Sequence, residues 1–557
     1  MQSTPFLDEE DFDSSDGEPS FADLLMERTH QSYFDNKKQD FLPEGTLQNL
    51  LSRRSIVKEM PQLANSEVEA ERLIDFILCQ ANKVFAITIY TGIDGPSLLK
   101  AMANFHKHDF NDALLPTSRI GQTNQGPFGL KIWTKLNIKK FCDSQWQFLA
   151  PVFSPTDFVY HLSTESILPF TWKNEIIIGG YFSQVSEVEI HPSHQAEPNM
   201  TVDGKLAHFA VKEIIASTML QKVDLIKNWE SEARTLDDLS DLNHPHIIQC
   251  VAAITRGEKR YFIFPWADGG SLRDFWQVNS TPHLSPGLIK EVIEQFLGLT
   301  NALCGLHHFK RTENYRHGDL KPDNILRFKT HTDDSRLGIL KIADLGLAKR
   351  HHDPTEMRRA PSGTLYGTAR YESPEARSLP GKARSRLYDI WSMGCIILEL
   401  IVWLLYGYEE VQRLQKIVDS DPPYGGGSYF HMLEQGQPPQ VHSIVEKWMV
   451  HMLAGDPECS QPSAIRDLLE LVRSELLVVP LPNKRCNVVI KDQTDESNSV
   501  TLPQKEMIRT DVRHRATASI LHKSLQAIYK KAENDSSYCF SGKSRDYVRR
   551  PERPSLL

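Results

Sequence analysis

Cysteine is scarce and scattered: eight in 557 residues, none in a C-x-x-C pair. That spacing argues against a disulfide framework and against a thiolate zinc site, and it predicts a reducing, intracellular setting. Positive charge is not in excess. Lys and Arg number 63 against 72 Asp and Glu, a net charge of -9, with a pI of about 6.2. Nucleic-acid binders gather cations on one face, so this balance speaks against such a partner. The N-terminus carries Asp8, Glu9, Glu10, Asp11 and Asp13 before any Lys or Arg, so it lacks the basic start and apolar run of a secretory signal. Long apolar runs are missing too. The most apolar stretch, Gly394 to Gly407, is shorter than the roughly 20 residues of a membrane span. Glu399 interrupts it. A buried helix is expected there, and no membrane. No internal repeat is found.

What is present divides along the chain. Its length allows more than one domain, and 40% hydrophobic residues suffice for a full core. Residues 1–45 are acidic and Ser/Gln-rich without sustained periodicity, and read as a disordered tail. Residues 46–160 form a mostly helical N-terminal region of no evident role. Ala70, Leu73, Ile74, Ile77 and Leu78 recur at helical spacing, whereas Val84 to Ile89 (VFAITI) is too β-branched to read as a helix. His106 and His108 lack Cys or acidic partners at a metal-binding spacing, and read as surface histidines. From about Ile167 short β-like runs appear at 176–178, 185–190, 209–211 and 261–264. Helical patterns dominate after Ser271. A small β-rich lobe before a larger helical one predicts an α+β, two-lobed fold. Residues 540–557 are basic, with Lys543, Arg545, Arg549, Arg550 and Arg553, and read as a second disordered tail.

The chemistry concentrates in Tyr315 to Leu326 (YRHGDLKPDNIL). Phosphoryl transfer needs an acidic group to orient the attacking hydroxyl, a cation against the γ-phosphate, and ligands for Mg²⁺. Asp319, Lys321 and Asn324 supply one of each. Twenty residues past Asn324, Ile342-Ala343-Asp344-Leu345-Gly346 places an Asp after a short apolar strand. Carboxylate and amide oxygens are the hard ligands that Mg²⁺ prefers, which makes Asn324 and Asp344 the candidate metal ligands.

These motifs resemble those of the eukaryotic protein kinase family. His317-Gly318-Asp319 stands where the family has His-Arg-Asp, Asp344-Leu345-Gly346 where it has Asp-Phe-Gly, and Ser373-Pro374-Glu375 where it has Ala-Pro-Glu. Asp389-Ile390-Trp391-Ser392-Met393-Gly394 matches the head of the family's buried central helix. The resemblance covers about 167–532 and implies ATP and Mg²⁺ as cofactors. Phe209-Ala210-Val211-Lys212 would then be the strand whose lysine bridges the α- and β-phosphates and pairs with a helix glutamate. Glu230 and Glu232 both qualify, and Glu232 is favoured because Leu236 then falls on the inward face. Ile178-Gly179-Gly180-Tyr181-Phe182-Ser183-Gln184-Val185 aligns with the glycine-rich loop, with Gly180 retained and Ile178 and Ser183 replacing the outer glycines. Ile178, Gly180, Val185, Ala210 and Leu326 would line the nucleotide. Phe264 would back the adenine, with Trp266 and Ala267 in the hinge. Lys321, together with Thr368 in Gly367-Thr368-Ala369-Arg370-Tyr371, resembles the Ser/Thr branch, so protein Ser and Thr hydroxyls are the implied substrates. Phe141 to Phe153 resembles the N-terminal region of kinase-like proteins of filamentous fungi. A pseudokinase scaffold and a small-molecule phosphotransferase of related fold remain as alternatives, and oligomeric state is open.

Two expectations follow from departures. Gly318 replaces an arginine that in many kinases pairs with an activation-segment phosphate, so phosphates at Thr355, Ser362 or Thr364 should matter little, and Arg316 should point elsewhere. Glu375 needs a cation, yet the usual arginine position holds Gln461. Arg515, past a polar insertion at about 483–500, is the proposed partner, with Arg466 the other option. The domain would then run to a terminal helix ending near Ala532.

Overall fold

The described chain opens with a capped helix. Ser20 Oγ accepts the Asp23 amide and the Asp23 carboxylate accepts the Ser20 amide, each at 3.2 Å, a capping box that starts α1 (Phe21–Glu27). The computed structural model describes residues 19–35, 38–65, 67–117, 126–175, 178–179, 183–197, 207–215, 219–309, 315–330, 337–345, 349–350, 369–378, 385–420, 427–433, 437–481 and 513–543. Two compact units form.

The first unit gathers the described residues of Met1–Ile177, Val185–Val211 and Ile254–Tyr261. After α1 come β1 (His30–Ser32), β2 (Gln39–Phe41), and helices α2 (Thr46–Leu50), α3 (Arg53–Glu59), α4 (Glu67–Cys79), α5 (Asn82–Tyr90), α6 (Gly95–Lys107) and α7 (Lys135–Ser144). Their core is aromatic: Phe105 lies 5.4 Å from Trp133, which meets Phe141 edge-on at 5.7 Å. The VFAITI run is helical, against expectation. All six of its side chains are buried in α5, and the Asp112 carboxylate accepts the amides of Lys83 and Val84 at the helix start. Burial on every side overrides the β-branched preference. His106 and His108 are exposed.

The same unit holds most of a seven-stranded sheet: β3 (Val159–Leu162), β4 (Phe170–Lys173), β5 (Ile178–Gly179), β6 (Ser183–Ile190), β7 (His208–Ile214), β8 (Ala252–Arg256) and β9 (Lys259–Pro265). Their order is β3-β8-β9-β7-β6-β4, with β5 paired to β6. The N-terminal segment is bound to this sheet, which corrects the reading of 1–45 as a disordered tail from residue 20 onward. The Tyr33 amide donates to the Phe170 carbonyl at 2.9 Å, Ser32 Oγ donates to the Leu168 carbonyl at 2.7 Å, and Asp35 pairs with buried Arg256 at 2.7 Å. Phe34 meets Phe170 and Tyr261 edge-on at 5.0 and 5.6 Å. The segment's few large apolar residues escaped periodicity because they dock singly, without a helical or strand-like repeat.

The second unit gathers the described residues of Ile178–Gln184, Lys212–Ala253 and Phe262–Leu557. It contains α8 (Met219–Ser240), α9 (Leu272–Val278), α10 (Pro286–His307), β10 (Tyr315–Arg316), β11 (Ile325–Phe328), β12 (Ile339–Ile342), β13 (Lys349–Arg350), α11 (Pro374–Ser378), α12 (Leu387–Tyr406) and α13 (Tyr408–Asp419). The short strands β14 (Phe430–His431) and β15 (Gln440–Val441) precede α14 (Ser443–Gly455), α15 (Pro457–Ser460), α16 (Ala464–Leu471), α17 (Ala518–Asn534) and α18 (Ser536–Cys539). Helix α12 is 20 residues long, longer than its apolar window suggested and long enough to cross a membrane. Here it is enclosed by protein, every residue from Tyr388 to Leu405 being buried. Glu399 within it accepts from Tyr371 Oη, Tyr429 Oη and Gln415 Nε2, each at 2.7 Å. The proposed insertion at 483–500 lies outside the described residues. The chain resumes at Arg513, and α17 ends at Asn534, two residues past the expected end. The second tail is corrected at its start: Ser541 is bound through its amide and hydroxyl to buried Glu458 at 2.9 and 2.6 Å.

Candidate active site

Strand β7 continues from Val211 into Lys212, the first residue of the second unit's middle stretch. Lys212 Nζ lies 3.1 Å from the Glu232 carboxylate on α8 and 2.9 Å from the Asp344 carboxylate. Glu232, not Glu230, is therefore the helix partner: Ala233, Leu236 and Leu239 turn inward on the same helix, and Trp229 stacks on Phe262 at 5.7 Å. Burial opposes the lysine's charge, but Asp344 and Glu232 outweigh it and raise its pKa. Lys212 in turn holds Asp344 down to about 2, against the opposing effect of burial. Asp344 follows strand β12 with φ +58°, a left-handed backbone that short polar side chains tolerate better than branched ones.

Between β10 and β11 the chain turns through the Asp319 loop. Lys321 Nζ lies 2.9 Å from Asp319 Oδ2. Asn324 Nδ2 donates to the Asp319 carbonyl at 2.8 Å and to Oδ2 at 3.2 Å, which leaves the Asn324 amide oxygen to ligate a cation. Burial pushes the Asp319 pKa up, and Lys321 opposes it. The loop is fixed from below by Asp389, fully buried at the head of α12. Its carboxylate accepts from His307 Nε2 at 2.8 Å and from the amides of His317 and Gly318, both at 2.9 Å. Burial would raise the Asp389 pKa, yet His307 and these bonds hold it below its ordinary value. Gly318 sits at φ +81°, a conformation glycine adopts without the Cβ penalty. His317 ties the loop to the Asp344 strand: Nε2 donates to the Ala343 carbonyl at 2.9 Å, and Nδ1 accepts the Asp319 amide at 3.2 Å. The Arg316 guanidinium lies 5.6 Å from the Tyr388 ring.

The structure thus gathers Lys212, Glu232, Asp319, Lys321, Asn324 and Asp344 within one unit. Leu326 lies half-buried on β11 and Phe264 half-buried on β9, with Trp266 and Ala267 just beyond it. Ala210 lies on β7, two residues before Lys212 and so on the same strand face, and Val185 on β6. Ile178 is on β5, its side chain outside the described set. Gly180, Thr368, Thr355, Ser362 and Thr364 lie outside the described residues. Sequence reasoning named Asp389 only as part of a motif and missed its work on the loop. The signal was present: a carboxylate heading an apolar helix must find buried donors. It also missed Arg273, whose Nε lies 3.0 Å from Asp323 and whose Nη2 donates to Tyr371 Oη at 2.6 Å.

The Asn324 amide oxygen and the Asp344 carboxylate, the latter held ionised, are hard oxygen donors of a kind suited to Mg²⁺. Glu375 is bound as expected. Arg515 donates to both its carboxylate oxygens, at 2.8 and 3.1 Å. Its Nε meets the Val478 carbonyl at 2.8 Å, and its guanidinium lies over Trp391 at 5.0 Å. Arg466 instead pairs with Glu470 at 2.8 Å.

Residues 200–523, more than half of the chain, match the protein kinase domain family. A protein of Encephalitozoon cuniculi described as a probable cell division protein kinase is 31% identical over 226 residues, covering 40% of this chain and 71% of that one. The serine/threonine-protein kinase RAD53 of Saccharomyces cerevisiae is 32% identical over 202 residues, 34% of this chain and 21% of its own. The serine/threonine-protein kinase cds1 of Schizosaccharomyces pombe is 29% identical over 194 residues, 34% of this chain and 38% of its own. This chain therefore spans well under half the length of the latter two. With the motifs, the two-lobed fold class and these relatives in agreement, the chain belongs to the eukaryotic protein kinase family, in its Ser/Thr branch.

Proposed function

We propose that this chain transfers the γ-phosphate of ATP to Ser and Thr hydroxyls of protein substrates, with Mg²⁺ as the metal. The observation that carries this reading is Lys212 held between Glu232 and Asp344 at 3.1 and 2.9 Å, an arrangement suited to present an ammonium to a nucleotide's α- and β-phosphates. Mg²⁺ bound with ATP supplies neutralisation of charge on the β- and γ-phosphate oxygens. Asn324 and Asp344 are the residues that would hold it, and Asp344 stays ionised to do so. Asp319 accepts the hydrogen bond of the incoming hydroxyl and orients it. Lys321, 2.9 Å away, offsets charge on the transferring group. The hydroxyl's proton leaves toward Asp319, whose raised pKa suits it to receive a proton late in transfer. Such a reaction belongs inside the cell, where ATP is supplied.

The second reading, a nucleotide-binding scaffold without turnover, is favoured by one feature: Ile178 and Ser183 stand where the phosphate-covering loop has glycines. Transfer of label from γ-labelled ATP to a generic protein substrate, with Mg²⁺ and then with chelator, separates the readings. Mg²⁺-dependent labelling of Ser and Thr is the expected result. ATP binding without labelling would point to the scaffold, and labelling only of a choline-like metabolite to a small-molecule phosphotransferase.

A further inference from the structure

The Lys212–Glu232 pair exists only while α8 keeps its place, so the groups that hold α8 matter to the site. Over its C-terminal half the helix buries Trp229, Ala233, Leu236 and Leu239, and apolar burial tolerates sliding because it is not directional. Near its C-terminal end the hold is directional. The hydroxyl of Tyr315 donates to the Asp238 carboxylate at 2.8 Å. Asp238 is half-buried and Tyr315 fully buried, its ring set edge-on against Phe309 at 5.5 Å.

Tyr315 stands at a crossing. It opens β10, whose two residues pair antiparallel with Lys349 and Arg350, five and six positions past Asp344. Two residues beyond Tyr315 is His317, which binds the Ala343 carbonyl, and four beyond is Asp319. The Tyr315 hydroxyl therefore joins the helix carrying Glu232 to the strand that launches the Asp319 loop and borders the segment after Asp344. A phenylalanine would fill the same buried space, so packing alone does not call for the oxygen.

We propose that Tyr315 and Asp238 are positioning residues that couple the register of α8, and with it the Lys212–Glu232 pair, to the Asp319 loop. The inference rests on the phosphotransfer reading above. Neither residue touches the reacting atoms. Their bond keeps Lys212 available for phosphate by keeping Glu232 within reach of it.

The test uses the full chain and steady-state kinetics with varied ATP. Tyr315→Phe and Asp238→Ala should each lower kcat/KM for ATP roughly ten-fold, the loss expected for one hydrogen bond to a charged group, mainly through a higher KM for ATP. The double variant should be no worse than either alone. Asp238→Asn keeps an acceptor oxygen for the tyrosine and should restore most of the loss. In a Glu232→Gln background, Tyr315→Phe should add nothing further. Asp238→Ala leaves the buried ring untouched, so it reads the bond even where Tyr315→Phe folds poorly. Additive effects, or single variants indistinguishable from the unaltered chain, would overturn the coupling. Asp319→Asn serves as the control. If it keeps full turnover the phosphotransfer reading falls and takes this inference with it. If it is inactive while Tyr315→Phe is unaffected, only the coupling falls.

Discussion

Asp319 and Asp344 are both aspartates a few ångströms from lysines, yet their surroundings drive them apart. Asp344 is held down to about 2 by Lys212, so its stabilising contribution is present above the ordinary aspartate value and is lost only as pH falls through about 2. Asp319 is pushed up by burial. Its protonated form is favoured by folding, and that contribution is lost as pH rises through its raised value. Activity should therefore fall on the acid side as Asp319 protonates, above the pH where an ordinary aspartate would. Lys321→Met removes the main opposing charge and should move this acid limb to higher pH, as read from kcat/KM between pH 4.5 and 8. An unmoved limb would refute the assignment. Asp319→Asn and Asp344→Asn should each lower turnover by about 10² to 10⁴ while leaving the protein folded. Phosphates on Thr355, Ser362 and Thr364 should contribute little, because the loop is fixed from within by Asp389 and Gly318 offers no charge. Replacing all three by Ala should leave activity nearly intact, whereas a large loss rescued by Asp or Glu would contradict this. At this scale the sequence was informative. Lys212, Asp319, Asn324 and Asp344 stand at the spacings of the motifs that mark the protein kinase family. Even Glu232 could be chosen over Glu230, from the inward face of its helix. Arg273 could not be found that way, since its partners Asp323 and Tyr371 lie 50 and 98 residues on.

Helix α12 shows what an element conceals. Its composition reads as a membrane helix or a core helix, and Glu399 reads as an interruption. In the fold Glu399 is an organiser, accepting from Tyr371 ahead of α11, Gln415 on α13 and Tyr429 ahead of β14. Glu399→Gln would turn one acceptor oxygen into a donor facing a donor, at a cost of about 1 to 3 kcal/mol. Urea unfolding should show that loss, and an unchanged midpoint would mean the network is dispensable. Helix α5 makes the opposite point. Its β-branched residues misled because propensity is a small preference, whereas burial of all six side chains is a large one. The ion pair at α11 was legible because a buried Glu requires a cation, and that requirement favoured Arg515 while leaving Arg466 open. Breaking the Arg515–Glu375 pair should cost about 3 to 5 kcal/mol. Arg466→Ala, which disrupts a partly exposed pair with Glu470, should cost only about 0.3 to 0.5. Melting temperatures of the two variants provide the comparison.

At the scale of the whole chain, the N-terminal segment belongs to the unit that holds the sheet. Deleting residues 1–44 would uncover Phe170 and Tyr261 and remove the carboxylate facing Arg256, so the shortened protein should be cut by trace protease where the full chain resists. Equal resistance would show the segment to be an ornament. Composition could not reveal this, because such docking depends on partners more than a hundred residues away. The far end of the chain is as necessary. Stopping after Val479 removes Arg515 and α17, and should leave protein that does not fold stably. The distance between Glu375 and its partner also has a consequence in time. The two lie 140 positions apart, and ribosomes add about 5 to 20 residues per second. For about 7 to 28 s after Glu375 is made, its cation does not yet exist. The large unit thus waits, its Glu375 uncompensated, until Arg515 has been added, an interval in which incompletely packed chains are exposed to aggregation.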